Sequence, residues 1–329
     1  MKKIKHIEIT NFKSIKHLEI NDCNKINVFI GQPNAGKSNI LEALGFFGMI
    51  IDNNNNSLEK FIRFKINSEL FFEENTTKNI NIKINSKQLD ILSTESLGQP
   101  KKNYTNISNS LKYDNSILSS PWEETEEIST IKKYLFTEPF FRQSDNRITL
   151  DYPSGNNLVQ VIVSNPELRK VVNKLFKDNS LKLLIEKTTN ELKIFKEYQD
   201  GTVFTLSYNL IADTLQRLIF YKAAIMSNEN SVLLFEEPEA HCFEPYILEF
   251  TNAVKYDEND NQFFIVTHSD YIVKEFLRDD ESKENTNIYL VNNVDGETKV
   301  KLLDKKNNED VFEFGMNIFF NFESLWETN

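Results

Sequence analysis

The chain has 329 residues, 40% hydrophobic and 26% charged, enough for one large domain or two modest ones and ordinary for a globular protein. A net charge of −11 excludes a surface that grips nucleic acid everywhere, so any such contact must be a local patch. Two cysteines far apart, Cys23 and Cys242, exclude a disulfide framework and a thiolate zinc site, and the apolar runs are too short for a membrane span; the expectation is a cytoplasmic protein with reduced thiols.

The first residues, "MKKIKHIEITNF", alternate instead of building an apolar block, so they read as a strand and not a signal peptide. "IKHIEITNF" and "SIKHLEIN", broken at Lys13-Ser14, predict two antiparallel strands. Their basic cluster (Lys2, Lys3, Lys5, His6, Lys13, Lys16 and His17) reads as a solvated strand face. "INVFIG" is a buried strand, and the helical spacing from Lys37 to Ile51 is a helix that starts in the loop after it. "DNNNN" at 52 to 56 ends regular structure.

Residues 57 to 205 read as an inserted region. "NINIKIN" is a strand, the Asn- and Ser-rich stretch 101 to 120 a long loop, and "SNPELRKVVNKLFKD" a helix with Pro166 in its first turn. "LKLLIEK", "ELKIFKEY" and "TVFTLSY" are strands, the last two joined by an Asp200-Gly201 turn. From Asn209, "NLIADTLQRLIFYKAAIMS" is an amphipathic helix. It is followed by the strand "SVLLFE", the helix "EPYILEFTNAVKY", the strand "QFFIVTH" and the helix "SDYIVKEFL". That alternation predicts a parallel sheet with helical cover. "TNIYLVNN" and "ETKVKLLD" close as a hairpin, and the tail from Glu309 is helical and ends at the surface. There are no sustained heptads and no internal repeat. The boundaries that follow are 1–56, 57–208 and 209–329.

Two stretches carry chemistry. Gly31, Gly36, Lys37 and Ser38 in "GQPNAGKSN" satisfy G-x-x-x-x-G-K-[ST], the phosphate-binding loop. Glycine lets backbone N–H groups turn onto phosphate oxygens, with Asn34, Ala35 and Asn39 in the same cradle. Lys37 addresses the β and γ phosphates, Ser38 offers a hydroxyl to Mg²⁺, and the following helix aims its positive end at the anion. Far along the chain, "VLLF" is followed by Glu236 and Glu237 at the C-terminal end of a buried strand, where open α/β sheets place their ligands. Glu236 is assigned to Mg²⁺ and Glu237 to the attacking water. His268 in "IVTHS" ends the next buried strand and can donate to the γ-phosphate and sense its loss, with His241 as second choice.

"TNFKSIKHLEI", "GQPNAGKSNILEAL", "LLFEEPEAH" and "IVTHS" together resemble the ABC-type ATPases of the SMC, RecF and OLD branch. The resemblance implies an α/β P-loop NTPase head with a mixed central sheet, flanking helices, N-terminal antiparallel strands and an inserted α+β lobe. It implies ATP sandwiched between two heads, so that binding makes a dimer or larger oligomer and hydrolysis releases it. Lys13 lies where that branch has a basic residue near the nucleotide. The signature helix is similar to "LIADTLQRLIFY", but Ala212 and Thr214 stand in place of Ser-x-Gly; Asp213 and Thr214 at its N-terminus then supply the contact across the interface. The glutamine usual after the first lobe strand is not identifiable. The stretch from Ser269 to Asn329 holds no block of spaced acids like the TOPRIM nuclease of OLD proteins.

Stand-alone heads of this branch work beside a separately encoded effector, often in bacterial anti-phage defence or genome maintenance, and that context is carried by analogy. The reading is therefore a slow ATPase that dimerises around ATP and regulates a partner effector. The alternative is a clamp or scaffold that binds ATP without turnover, with or without nucleic acid. A transporter subunit would want an intact Leu-Ser-Gly-Gly signature, and an AAA+ motor would have its two acids much nearer the phosphate loop.

Overall fold

The computed structural model describes residues 3–51, 58–93, 104–108, 111–114, 130–137, 147–177, 181–186, 189 and 191–327. Strands β1 (Ile7–Phe12) and β2 (Ile15–Ile20) form the expected antiparallel hairpin, with Ile7 opposite Ile20 and Ile9 opposite Leu18 on the buried face. Strand β3 (Ile26–Ile30) is buried throughout and leads through the phosphate loop into helix α1 (Lys37–Ile51). Strands β4 (Ile80–Ile84), β5 (Lys87–Ser93), β6 (Tyr104–Ser108) and β7 (Leu111–Asp114) extend the hairpin into one antiparallel sheet, ordered β2-β1-β4-β5-β7-β6. The described part of the stretch 101–120 is thus a strand pair and not the expected loop. Asn and Ser give no hydrophobic period, yet the ladder is made by backbone groups that any side chain leaves available.

Strand β8 (Ile131–Tyr134) joins a second sheet. After it come helices α2 (Leu158–Ser164) and α3 (Pro166–Lys177), where Asn165 accepts from Leu168 N–H and Pro166 takes the first helical position. Strands β9 (Lys182–Glu186), β10 (Glu191–Glu197) and β11 (Val203–Ser207) make a small antiparallel sheet of their own, with Gly201 at φ +82° in the turn. Helix α4 (Asp213–Met226), strand β12 (Val232–Glu236), helix α5 (Glu244–Lys255), strand β13 (Gln262–Val266) and helices α6 (Asp270–Phe276) and α7 (Asp280–Glu284) follow. Strands β14 (Thr286–Val294) and β15 (Glu297–Leu302) form the expected hairpin, and helices α8 (Lys305–Glu313) and α9 (Phe322–Glu327) end the described chain. The tail is docked more firmly than expected. Val311, Ile318, Phe322 and Leu325 are buried, and Lys301 donates to the carbonyls of Leu325 and Trp326.

The second sheet runs β15-β14-β3-β13-β12-β8, with β14, β3, β13 and β12 parallel and β15 antiparallel. Its strands β3, β12 and β13 are mostly apolar and buried almost throughout, as strands covered on both faces are. Helix α1 packs on β12 and β13 of this sheet and on β1 and β4 of the other. A helix held between two sheets needs apolar side chains all round, and residues 41 to 50 are all buried.

The described chain divides into two compact units, and they depart from the expected boundaries. One holds residues 1–133, 230–237 and 262–329; the other holds 134–229 and 238–261. Strands β4 and β5, read as part of an insertion, pair back onto β1, so the first unit runs on well past 56, a position that itself lies outside the described residues. Helices α4 and α5, read as part of the 209–329 segment, pack on each other in the second unit, tied by Lys222 to Glu249 at 2.8 Å. Amphipathic periodicity shows that a helix is covered, not what covers it.

Candidate nucleotide site

Parallel register levels the ends of three strands. Glu236 on β12 is paired with Val266 on β13, and Val266 with Phe29 on β3. Two bonds beyond the ladder hold the exits level: Glu237 N–H donates to Val266 O at 2.8 Å, and Thr267 N–H to Phe29 O at 3.2 Å. The loop from Gly31, the two glutamates and His268 therefore leave the sheet at one edge, the carboxyl edge where such sheets bind ligands. Residues 40 to 231 separate the two motifs in sequence, but only β13 separates β3 from β12 in space.

Neighbouring strands dictate the two loop glycines. A Cβ on Gly31 would lie 2.0 Å from the Val291 carbonyl oxygen of β14, and one on Gly36 would lie 1.9 Å from the Thr298 hydroxyl of β15. Gly36 also sits at φ +95°, where a side chain is strained. Thr298 donates to Ala35 O at 3.1 Å and lies 2.6 Å from the Ser14 hydroxyl, to which Asn39 Nδ2 donates at 2.6 Å. The β14–β15 hairpin and the β1–β2 turn thus clamp the loop from outside. Lys37 curls back over it, its ammonium donating to Gly31 O at 3.0 Å and Gln32 O at 2.8 Å. Burial lowers the Lys37 pKa to about 8, against the opposing charges of Glu237 and Glu236.

Glu236 is held from three directions. The Lys133 ammonium lies 3.2 Å from Oε2, Arg63 donates to Oε1 at 3.1 Å, and the Ser38 hydroxyl bonds to the carboxylate. Burial alone would raise its pKa; Lys133, Ser38 and Arg63 outweigh that and hold it below the usual carboxylate range. Glu237 sits at φ +45° with its side chain about half exposed, and its Oε1 is 3.7 Å from His268 Nε2. Ser269, not His268, caps α6, accepting from Ile272 N–H at 3.3 Å, so the histidine is not spent on the cap. The ring stacks on Phe319 with centroids 6.4 Å apart. Burial lowers its pKa, the Lys37 charge adds to that, and Glu237 opposes it, so the imidazole is neutral at pH 7.

Lys37, Ser38, Glu236, Glu237 and His268 are therefore assembled together. Lys13 is not open toward the loop: at φ +50° its ammonium pairs with Glu42 and donates to Arg63 O at 2.6 Å. Asp213 and Thr214 lie in the other compact unit, in the first turn of α4, where Asp213 is ion-paired with Arg217 at 2.7 Å. The cap residue Ala212 makes no side-chain bond to that turn. Sequence reading missed Glu42, Arg63, Lys133, Ser14 and Thr298. Glu42 is the one acid in an otherwise apolar helix run, and Lys133 a charge within a short strand; each contradicts its surroundings, which is the signal that was available.

The residues present suit magnesium. Ser38 and Glu236 offer a touching pair of hard oxygen donors beside a phosphate cradle. Among the described residues no three His, Cys, Asp or Glu side chains form a metal cage, so the ion would need phosphate oxygens to complete its shell, as Mg²⁺ at nucleotide sites does. Also among the described residues, no helix is long and apolar enough to cross a membrane.

The chain is similar to several known proteins. A family model described as "AAA domain, putative AbiEii toxin, Type IV TA system" matches residues 26–274. An "ATP/GTP phosphatase" of Helicobacter pylori is 23% identical over 374 residues, covering 96% of this chain and all of that protein. An uncharacterized protein of Methanocaldococcus jannaschii is 52% identical over 42 residues, 13% of each chain. Among solved structures, an SMC head bound to the C-terminal winged-helix domain of ScpA superposes with a TM-score of 0.54 at 16% identity, covering 93% of this chain and 99% of the other. The Pyrococcus furiosus SMC head bound to the C-terminal domain of ScpA gives 0.53 at 15% identity over 95% and 99%. The mixed sheet with its flanking helices has the fold of these SMC heads.

Proposed function

Because the chain belongs to the AAA-domain family that matches residues 26–274, we propose that it binds Mg²⁺–ATP and hydrolyses it at the site of Lys37, Ser38, Glu236, Glu237 and His268. The observation that carries this is the levelled strand register, with Glu237 one residue beyond the pairing of Glu236 with Val266. Lys37 and the loop N–H groups of residues 31 to 38, with Asn34, Ala35, Gly36 and Asn39, hold the phosphates. Ser38 and Glu236 hold the metal. When bound, Mg²⁺ neutralises phosphate charge and lowers the barrier to in-line attack. Glu237, half exposed at the strand end, orients and deprotonates the attacking water. His268, neutral and within reach of Glu237, donates toward the γ-phosphate. The relative named "ATP/GTP phosphatase", aligned over its whole length, supports the reaction class.

The reading extends to assembly. Two copies close around ATP, the open first turn of α4 with Asp213 and Thr214 facing the partner copy's nucleotide. Lys13 joins the nucleotide site if that closure frees it from Glu42. The dimer acts on a separately encoded effector, in anti-phage defence or genome maintenance, and two support this: a family description that includes a "Type IV TA system", and SMC heads solved with a bound ScpA domain. Nucleic acid is a lesser candidate at a charge of −11. The uncapped α4 favours slow turnover, and it also keeps a second reading in view, an ATP clamp without hydrolysis.

The test is equilibrium binding of ATP by the wild type and Lys37→Ala, with mass measurement of Glu237→Gln. The proposal expects Mg²⁺-dependent binding that Lys37→Ala weakens about a hundredfold, and a shift from monomer to dimer on adding ATP. A wild type that takes up no ATP overturns it.

A further inference from the structure

Lys133 is a cation where an apolar residue would be expected. Its side chain is 2% exposed, on a strand anchored to the central sheet by Val232 N–H donating to Thr130 O at 2.8 Å. Helix α1 is cut back to admit it. A Cβ on Gly45 would meet the Lys133 Cβ and Cδ at 3.3 Å, and a Cβ on Gly48 would meet the Ile131 carbonyl at 2.4 Å. The ammonium reaches the Phe61 carbonyl at 3.2 Å and Glu236 Oε2 at 3.2 Å. Burying an ammonium is costly unless it is paired, so a position built around one has a partner that matters.

Resting on the nucleotide-site reading above, we propose that Lys133 is a positioning residue for Glu236: a resident cation that holds the metal-binding carboxylate in place and keeps free divalent ions out until nucleotide arrives. Both carboxylate oxygens of Glu236 carry a protein cation, Lys133 on one and Arg63 on the other. Lys37 adds a third positive charge acting on Glu236, and with Lys13 the cluster holds four cations against three carboxylates, Glu42, Glu236 and Glu237. A bare divalent ion meets a site already in cation excess. The same ion carried by ATP brings its own negative charge and is attracted. Arg63 is about two-thirds exposed and can swing away from Glu236; Lys133 is locked. Lys133 therefore sets the residual competition with the metal.

The experiment is Mn²⁺ binding to the nucleotide-free protein, read from the electron paramagnetic resonance signal of the free ion, for wild type, Lys133→Met and Lys133→Gln. The methionine keeps the stem's packing, and the glutamine also keeps a donor for Phe61 O. In both, Glu236 retains Arg63 and Ser38. Mn²⁺ affinity rises about tenfold or more in both variants. Adding Glu236→Gln to Lys133→Met abolishes the gain. An unchanged or weaker Mn²⁺ affinity in a folded variant overturns the proposal. Parallel ATP binding separates the two readings: normal ATP uptake with no Mn²⁺ gain removes the role of Lys133 alone, whereas absent ATP uptake removes the nucleotide site.

Discussion

Glu237 Oε1 stands 3.7 Å from His268 Nε2, at the ends of two neighbouring parallel strands. The pair is neither a tight ion bridge nor a chance proximity. Glu237 takes φ +45° just where β12 ends, and the backbone bond from Glu237 N–H to Val266 O fixes that turn. The burial of His268 and the charge on Lys37 keep the imidazole neutral, so Glu237 stays free to accept a proton from water. Replacing His268 by Ala leaves ATP affinity within about threefold of wild type and slows hydrolysis about tenfold or more. Parallel measurement of Kd and single-turnover rate checks this; a loss confined to Kd contradicts it.

At the proposed site, Lys37 predicts pH-dependent nucleotide binding. Its pKa in the nucleotide-free protein is lowered to about 8, and bound phosphate favours the charged form. The charged form binds. It is fully present below about 8 and is lost as pH rises through that value. ATP affinity is therefore flat from pH 6.5 to 7.5 and then falls by up to about tenfold per pH unit. A titration of ATP binding between pH 6.5 and 9.5 reads this directly, and Lys37→Arg removes the fall.

The loop glycines carry a structural demand of their own. Gly36→Ala forces a methyl into the Thr298 hydroxyl at φ +95° and costs about 2–3 kcal/mol in urea unfolding. Thr298→Ala in the same chain recovers part of that loss but not the backbone strain. Equal stabilities of the single and double variants would contradict this account of the clamp.

The opposite logic applies to Glu42. Its carboxylate is fully buried and is paired with both Lys13 and Arg63. Glu42→Gln leaves the largely buried Lys13 ammonium without its carboxylate and costs about 3 kcal/mol or more. Glu42→Gln with Lys13→Met recovers most of that, measured by the same unfolding curves.

Much of this was legible in the sequence, for a physical reason. Gly31, Gly36, Lys37 and Ser38 are a local pattern, and Glu236, Glu237 and His268 each follow an apolar run that can only be an inner strand. Parallel pairing of β3, β13 and β12 then brings them to one edge. What stayed hidden depends on long-range packing. Strands β4 and β5 look like an insertion until they pair with β1, and β6 and β7 have no apolar rhythm at all. Lys133 and Arg63 belong to no motif; their role comes from a partner, Glu236, more than a hundred positions away in the chain. The missing signature serine is legible as an absence at Ala212, but its effect on turnover is a rate, and a rate has no spelling in the sequence.

Single-turnover hydrolysis of ATP by the wild type and Glu237→Gln tests the central claim most directly. The account predicts that both take up Mg²⁺–ATP with similar affinity and that the variant cleaves it about a hundredfold or more slowly. Equal rates in the two proteins, or a wild type that never releases phosphate from bound ATP, would contradict it.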